Sequence, residues 1–187
     1  MAKNFPEMLP QHQEFIRKQK IFFVGSAPLT EDGHVNLSPK GHDVLRIFSP
    51  NEVAYLDLTG SGNETSAHLK ENGRITLMFL AFEGAPMILR LYGKGKTILP
   101  DTPEWDNMSV NFDILPGARQ IIKVRIDLVK TSCGFSVPLF SYQAERDTLQ
   151  KWTNNKSEQE LADYRLQKNS TSMDGLISPI GEANIPR

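Results

Sequence analysis

Cysteine is nearly missing from this 187-residue chain, with Cys133 standing alone. A single thiol excludes an intrachain disulfide framework and a multi-cysteine zinc site, and it fits a reducing compartment. An excess of one charge is missing as well: 21 Lys and Arg face 22 Asp and Glu, a formal net charge of −1. Nothing global therefore pulls the protein toward nucleic acid or an anionic membrane. No apolar run approaches the roughly 20 residues a membrane-spanning helix needs. The opening MAKNFPEMLPQHQEF lacks the basic-then-apolar order of a signal peptide. The histidines at 12, 34, 42 and 68 show no metal-ligand spacing of the H-E-x-x-H kind, so no metal is expected. No serine sits in G-x-S-x-G, which leaves a hydrolase without support. The expectation is a cytoplasmic, soluble chain with no nucleic-acid or membrane partner. It forms a single domain over 1–187, because a chain of this size buries roughly 70% of its unfolded surface without a staple.

What is present is a succession of short β-prone runs. After an amphipathic stretch from Pro6 to Lys20 come IFFVGSA (21–27) and HVNLSPK (34–40), joined through Asp32-Gly33 as a hairpin. VLRIF (44–48) and VAYLDL (53–58) follow across a Ser49-Pro50-Asn51 turn. ETSAHLKEN reads as a short helix stopped at Asn72-Gly73. RITLMFLAF (74–82), MILRLYGKGKTIL (87–99) and ARQIIKVRIDLVKT (118–131) are the strongest strands, and Thr102-Pro103-Glu104 starts a helix between the last two. Helix formers dominate from Ala144 to about Lys168, with Leu149, Trp152, Leu161 and Tyr164 as the expected buried side. The final NSTSMDGLISPIGEANIPR reads as a tail or a docking strap. Six or seven strands with few helices among them indicate a mainly β protein with accessory helices, an antiparallel barrel with no internal domain boundary.

Two stretches carry chemistry. In LDLTGSGNETSAHL (56–69), Ser61-Gly62-Asn63-Glu64 matches the capping box S-x-x-E, in which Ser61 and Glu64 satisfy each other's backbone N–H. The same loop exposes backbone N–H groups at a helix N-terminus, where the helix dipole favours an anion, with Ser61, Asn63 and Thr65 as added donors. Both readings stand on the loop alone. In HVNLSPK, strand alternation puts His34, Asn36, Ser38 and Lys40 on one face, either solvated or suited to a phosphate. Arg90, between Leu89 and Leu91, is either an edge residue in water or a paired group, its partner then an anion or a carboxylate such as Asp57.

NLSPKG (36–41), YLDLTGSGNETSAHLKENGRITLMF (55–79) and RLYGKGKTI (90–98), in that order, resemble the FMN-binding split-barrel family typified by pyridoxamine 5′-phosphate oxidase. The likeness spans roughly 14–131, leaving 144–187 as a C-terminal helical segment and tail; RDTLQKWTNNK (146–156) and SMDGL (172–176) resemble the ending of an uncharacterised branch. The resemblance implies an antiparallel split β-barrel of the FMN-binding type and a homodimer with FMN between subunits. Carried over, Ser38 and Lys40 meet the flavin phosphate together with Thr59, Ser61, Asn63 and Thr65, while Arg90 lies on a flavin-contacting strand. Two departures matter. Asn63-Glu64-Thr65 stands where many relatives have Ser-Arg-Lys, and the Arg-Pro and Trp-Gly signatures of the true oxidases are missing. The function implied is an FMN-dependent oxidoreductase acting on an unidentified small molecule with a nicotinamide or other small reductant, and not on pyridoxamine phosphate. A non-catalytic flavin or small-ligand barrel, acting as carrier or sensor, is the alternative; a single-stranded nucleic-acid barrel lacks the basic-aromatic face it would need.

The remaining candidates read as packing groups. His68 is expected at the surface or in a dimer contact, His42 near the flavin ring or inert, and Cys133 as a buried thiol. Phe135 either closes a flavin pocket or belongs to the core, and Trp105 and Trp152 pack the accessory helices.

Overall fold

A computed structural model describes residues 2–185. Among them, eight antiparallel strands form one sheet: β1 (Lys3–Phe5), β2 (Phe22–Ser26), β3 (Asn36–Lys40), β4 (Leu45–Ser49), β5 (Glu52–Leu58), β6 (Arg74–Leu80), β7 (Ile88–Ile98) and β8 (Ala118–Ser132). Their order is β3-β2-β6-β7-β8-β5-β4, with β1 added to β8. The sheet is open between β3 and β4, and it belongs to the split-barrel class. Helices α1 (Pro10–Lys18), α2 (Glu64–Asn72), α3 (Pro103–Ser109), α4 (Thr148–Asn154), α5 (Glu158–Asn169) and α6 (Pro179–Ala183) complete the chain.

The alternation read from the sequence is the one that folds. In β7, Leu89, Leu91 and Gly93 turn inward while Ile88, Arg90 and Tyr92 stay half-buried on the other face. Tyr55, Leu77, Phe79, Leu89, Leu91, Ile121 and Ile122 form the centre of the core, each at most 1% exposed. A fully buried side chain of this kind contributes roughly 1.5–3 kcal/mol. Pro39 explains the position of β3: a residue without an N–H cannot serve a ladder on both sides, and β3 is an edge strand. Gly73 stops α2 in the left-handed conformation (φ 72°), its N–H bonded to Leu69 O, which is the C-terminal signal that Asn72-Gly73 carries.

Several expectations need correction. The opening helix is shorter than 6–20, starting at Pro10. The C-terminal helical stretch is two helices divided at Asn155–Ser157, because Ser157 and Glu160 form a capping box that starts α5 afresh. Residues Ala144–Asp147 are coil, and the expected buried side of the two helices is only half-buried, with Trp152 packed edge-on against Tyr164. Cys133 is exposed rather than buried, and Phe135 is 81% exposed, so neither joins the core. Both follow the end of β8, where the ladder no longer covers them.

A bulge in the β7–β8 ladder lies between Tyr92 and Gly93, and a Cβ on Gly93 would stand 2.0 Å from Arg125 O. Gly93→Ala therefore forces two backbones apart. We expect a loss of about 1–3 kcal/mol or more, as for overpacked cores, read as a lower urea midpoint with an unchanged m-value.

Candidate functional site

Asp57, on β5, is 3% exposed, and three donors converge on its carboxylate. Lys40 Nζ donates to Oδ1 at 2.6 Å; Arg119 Nε and Gln120 Nε2 donate to Oδ2 at 2.9 and 2.8 Å, with Arg119 Nη2 also at 2.9 Å. Neighbouring strand residues normally point to opposite faces. Arg119 and Gln120 reach the same carboxylate because the β5–β8 register jumps from Asp57↔Gln120 to Leu58↔Ala118, leaving Arg119 as the extra residue of a bulge. Burial alone would raise the Asp57 pKa, but Arg119 and Lys40 outweigh it and hold the carboxyl well below the usual carboxylate range. Lys40 also lies over the Tyr55 ring, 5.7 Å from its centroid.

Above this ion cluster the chain passes through Gly60-Ser61-Gly62 into α2. Asn63 is the N-cap by position but makes no side-chain cap hydrogen bond. Its amide is spent elsewhere: Oδ1 accepts from Gln120 Nε2 at 2.8 Å, and Nδ2 donates to Asn169 O at 3.2 Å. The expected Ser61–Glu64 capping box does not form. Glu64 begins the helix, and its Oε2 accepts instead from the Met173 N–H at 3.0 Å, in the C-terminal segment. The start of α2 thus lacks a side-chain cap among the described residues. It opens onto a groove of about 480 Å³ lined by Asn36, Ser38, Lys40, Ser61, Thr65 and Arg119, among others.

Of the seven residues singled out from the sequence, Ser38, Lys40, Ser61, Asn63 and Thr65 line this groove. Thr59 does not: it is buried, donating from Oγ1 to Gly117 O at 2.7 Å and accepting from Arg165 Nε at 2.9 Å. Arg90 lies away from it and donates to Ser132 Oγ at 3.2 Å; Asp57, the carboxylate considered for it, belongs to Lys40 and Arg119. His34 leaves the polar row of β3, its ring and N–H both bonded to Asp174 at 2.6 and 2.8 Å. His68 is wholly buried, not at the surface. His42 has a positive φ of 64° and its N–H donates to Glu145. A larger hollow, about 1240 Å³ between Phe15, Phe82, Phe140 and Tyr142, opens on the other side of β3 beside Pro39 and Gly41. The smaller groove carries the uncapped helix start and the converging donors. Among the described residues, no group of three or more His, Cys, Asp or Glu could hold a metal ion, and no helix is long and apolar enough to cross a membrane.

Sequence reading missed the two residues of β8 that complete the cluster. Their only local signal is a charged and an amide residue opening an otherwise apolar strand, Arg119-Gln120-Ile121-Ile122. It also missed how the C-terminal segment is fastened to the loop. Asn169, fully buried, donates from Nδ2 to Gly60 O at 3.0 Å, and its carbonyl accepts from Asn63 and from Ser178 Oγ at 2.6 Å. Arg165 donates to Thr59 and to Ala118 O. Up to residue 185, the final stretch is a docked strap rather than a tail.

The profile of the pyridoxamine 5′-phosphate oxidase family matches residues 8–133. A pyridoxamine 5′-phosphate oxidase family protein of Aspergillus flavus, ustO, is 38% identical over 183 residues, 88% of this chain and 72% of its own length. The chain belongs to the pyridoxamine 5′-phosphate oxidase family. Solved structures agree on the fold at low identity. A variant of HupZ from Group A Streptococcus superposes with a TM-score of 0.55 at 14% identity, covering 67% of this chain and 99% of that one. A protein described as a pyridoxamine 5′-phosphate oxidase from Lactobacillus delbrueckii gives 0.53 at 12%, covering 68% and 97%. The matched region ends just after β8, and beyond it α5 and the following segment hold the groove loop through Arg165, Asn169 and Met173.

The Asp57 cluster gives a sharp expectation. Asp57→Asn leaves the buried Arg119 and the partly buried Lys40 short of their counter-charge and should cost about 3–5 kcal/mol at neutral pH. A depressed folded-state pKa contributes stability above the unfolded value and loses it as pH falls through the folded one. The gap between wild type and variant should hence be flat from about pH 6 to 8 and narrow below about pH 4, as read from urea unfolding at each pH.

Proposed function

We propose that the groove binds FMN and that the protein works as a homodimeric FMN-dependent oxidoreductase on a small molecule. The observation that carries this reading is the start of α2, whose N–H groups have no side-chain cap and face the Asn36–Ser38–Lys40 row of β3. An uncapped helix N-terminus favours an anion both through its dipole and through its exposed donors. The fit to a phosphate and a ribityl chain rests on hydrogen bonds more than on charge. Lys40 and Arg119 are matched by Asp57, and Glu64 adds a carboxylate, so these four ionisable groups at the groove sum to zero formal charge. Ser61 and Thr65 bring hydroxyl donors, Asn36 an amide, and Ser38 a hydroxyl oxygen whose proton goes to Asn36. The groove volume lies within the roughly 300–1,000 Å³ typical of small-ligand sites.

When bound, the isoalloxazine supplies the redox chemistry itself. The chain's residues would position it. Ser61 and the first N–H groups of α2 hold the phosphate, Ser38 and Thr65 orient the neighbouring hydroxyls, and the Asp57 cluster fixes Lys40 so that the wall of the groove does not shift. The family supports a flavin in general, and β3 supports a covering partner: it is an edge strand whose outward Leu37, with neighbouring Val35, is 64–75% exposed. A second reading, a flavin carrier without turnover, has one observation in its favour. Lys40, Asp57 and Arg119 in the groove are already engaged with one another, so none of these three is free for proton transfer.

The purified protein should be yellow, release FMN on denaturation and sediment as a dimer; a colourless protein that takes up no added FMN would overturn the flavin reading. Anaerobic mixing with NADPH and other small reductants separates the two forms, since persistent oxidised flavin with each of them leaves only the carrier. Glu64→Gln removes the negative charge at the anion seat while keeping an acceptor for Met173. FMN affinity, followed by quenching of flavin fluorescence, should rise by about 0.3–1 kcal/mol, the usual worth of a charge at a helix end.

A further inference from the structure

From the groove a polar chain runs inward to Ser26 and His68, two residues that the binding reading leaves unused. Ser38 Oγ donates to Asn36 Oδ1 at 3.2 Å, and Asn36 Nδ2 donates to Thr65 Oγ1 at 2.9 Å. Behind Thr65, Ser26 Oγ lies 3.4 Å from the same hydroxyl and 3.0 Å from His68 Nδ1. Thr65 and His68 are three residues apart on α2, so they share a face, and Ser26 at the end of β2 bridges them. His68 is 0% exposed, and its Nε2 has no partner among the described residues. Burial pushes the imidazole pKa down, so the ring is neutral and carries one proton.

Where that proton sits decides the direction of every bond in the chain. On Nε2 it would be a buried N–H without an acceptor, which folded proteins rarely leave. On Nδ1 it donates to Ser26, which turns the Ser26 hydroxyl toward Thr65. Thr65 Oγ1 then accepts twice, from Ser26 and from Asn36, and both its lone pairs are filled. Its own proton can only point away from them, into the groove that Thr65 lines.

Resting on the reading of the groove as a ligand seat, we propose that His68 is a positioning residue: as the Nδ1–H tautomer, acting through Ser26, it fixes Thr65 as a hydrogen-bond donor to the groove. The site thereby selects a ligand that presents an acceptor at this point, such as a phosphate or carbonyl oxygen, over one that presents a donor. His68 itself touches no ligand.

The tautomer can be measured without any flavin, from the imidazole ¹⁵N shifts of the ligand-free protein, with His68 assigned by its loss in His68→Asn. The Nδ1–H form is expected; the Nε2–H form overturns the proposal. FMN affinity supplies the second arm. His68→Leu and Ser26→Ala should each weaken binding by about three- to tenfold, as for a lost neutral hydrogen bond. His68→Asn, whose Nδ2–H replaces Nδ1–H, should stay within about twofold on the same scale. In a Thr65→Val background His68→Leu should have no further effect, and an undiminished loss there would overturn the proposal, since a merely structural histidine acts whether or not Thr65 is present. A protein that takes up no FMN would overturn the flavin reading, while the tautomer measurement would still decide the role of His68.

Discussion

The buried carboxylate of Asp57 is the constraint from which the rest of the groove follows. A lone ionised carboxylate in this position would be prohibitively costly, so the chain must bring it partners, three residues from two strands. β3 supplies Lys40, and β8 supplies Arg119 and Gln120 through a bulge. That bulge is the structural consequence of needing two consecutive side chains on one face. Such clusters are weak sources of net stability, because desolvation offsets most of the attraction. Their value here is positional: Lys40 ties the edge strand β3 to β5, although the two are not neighbours in the sheet.

Gln120 extends the constraint into the helix start. Its Nε2 contacts both Asp57 Oδ2 and Asn63 Oδ1, so the residue that occupies the cap position is held by the core instead of capping its own helix. Arg119 does likewise for the loop, donating from Nη1 to Gly62 O at 2.8 Å. The helix N-terminus is therefore left open by construction. Asn169 of the strap then holds Gly60 and Asn63 from the opposite side, which leaves the turn little freedom to relax into an ordinary capped geometry.

Much of this was legible in the sequence, and the parts that were not share a physical cause. Strand alternation, the Asp32-Gly33 and Asn72-Gly73 punctuation and the Thr102-Pro103 helix start are local properties, and each folds as read. Period set the face of Lys40 on its strand, but only the family resemblance put Lys40 and Thr65 in one site, and both line the groove. The capping box failed because a local motif competes with long-range partners: Glu64 found Met173, 109 residues away, and Asn63 found Gln120. Arg119 escaped notice because a bulge has no signature in residue types, and its role depends on a register shift. His68 looked like a surface residue because helix periodicity in ETSAHLKEN is weak; only the docking of α2 on β2 and β7 shows which face is covered.

The electrostatics of the groove also bear on what kind of recognition it can perform. A site with surplus positive charge attracts any anion, at a strength that falls with salt. Here the cations are matched by Asp57 and opposed by Glu64, so attraction at a distance is small and discrimination passes to directional donors. Directional donors discriminate only when they cannot rotate to suit a wrong ligand. Ser61 is exposed and carries no such restraint, whereas Asn36 is held by Ser38, and Thr65 is flanked by Asn36 and Ser26. On the proposed reading, the specificity of the groove would be concentrated where β3, β2 and α2 meet, and Glu64 in place of a cation would be compatible with binding, because the seat would depend on directional donors rather than on charge.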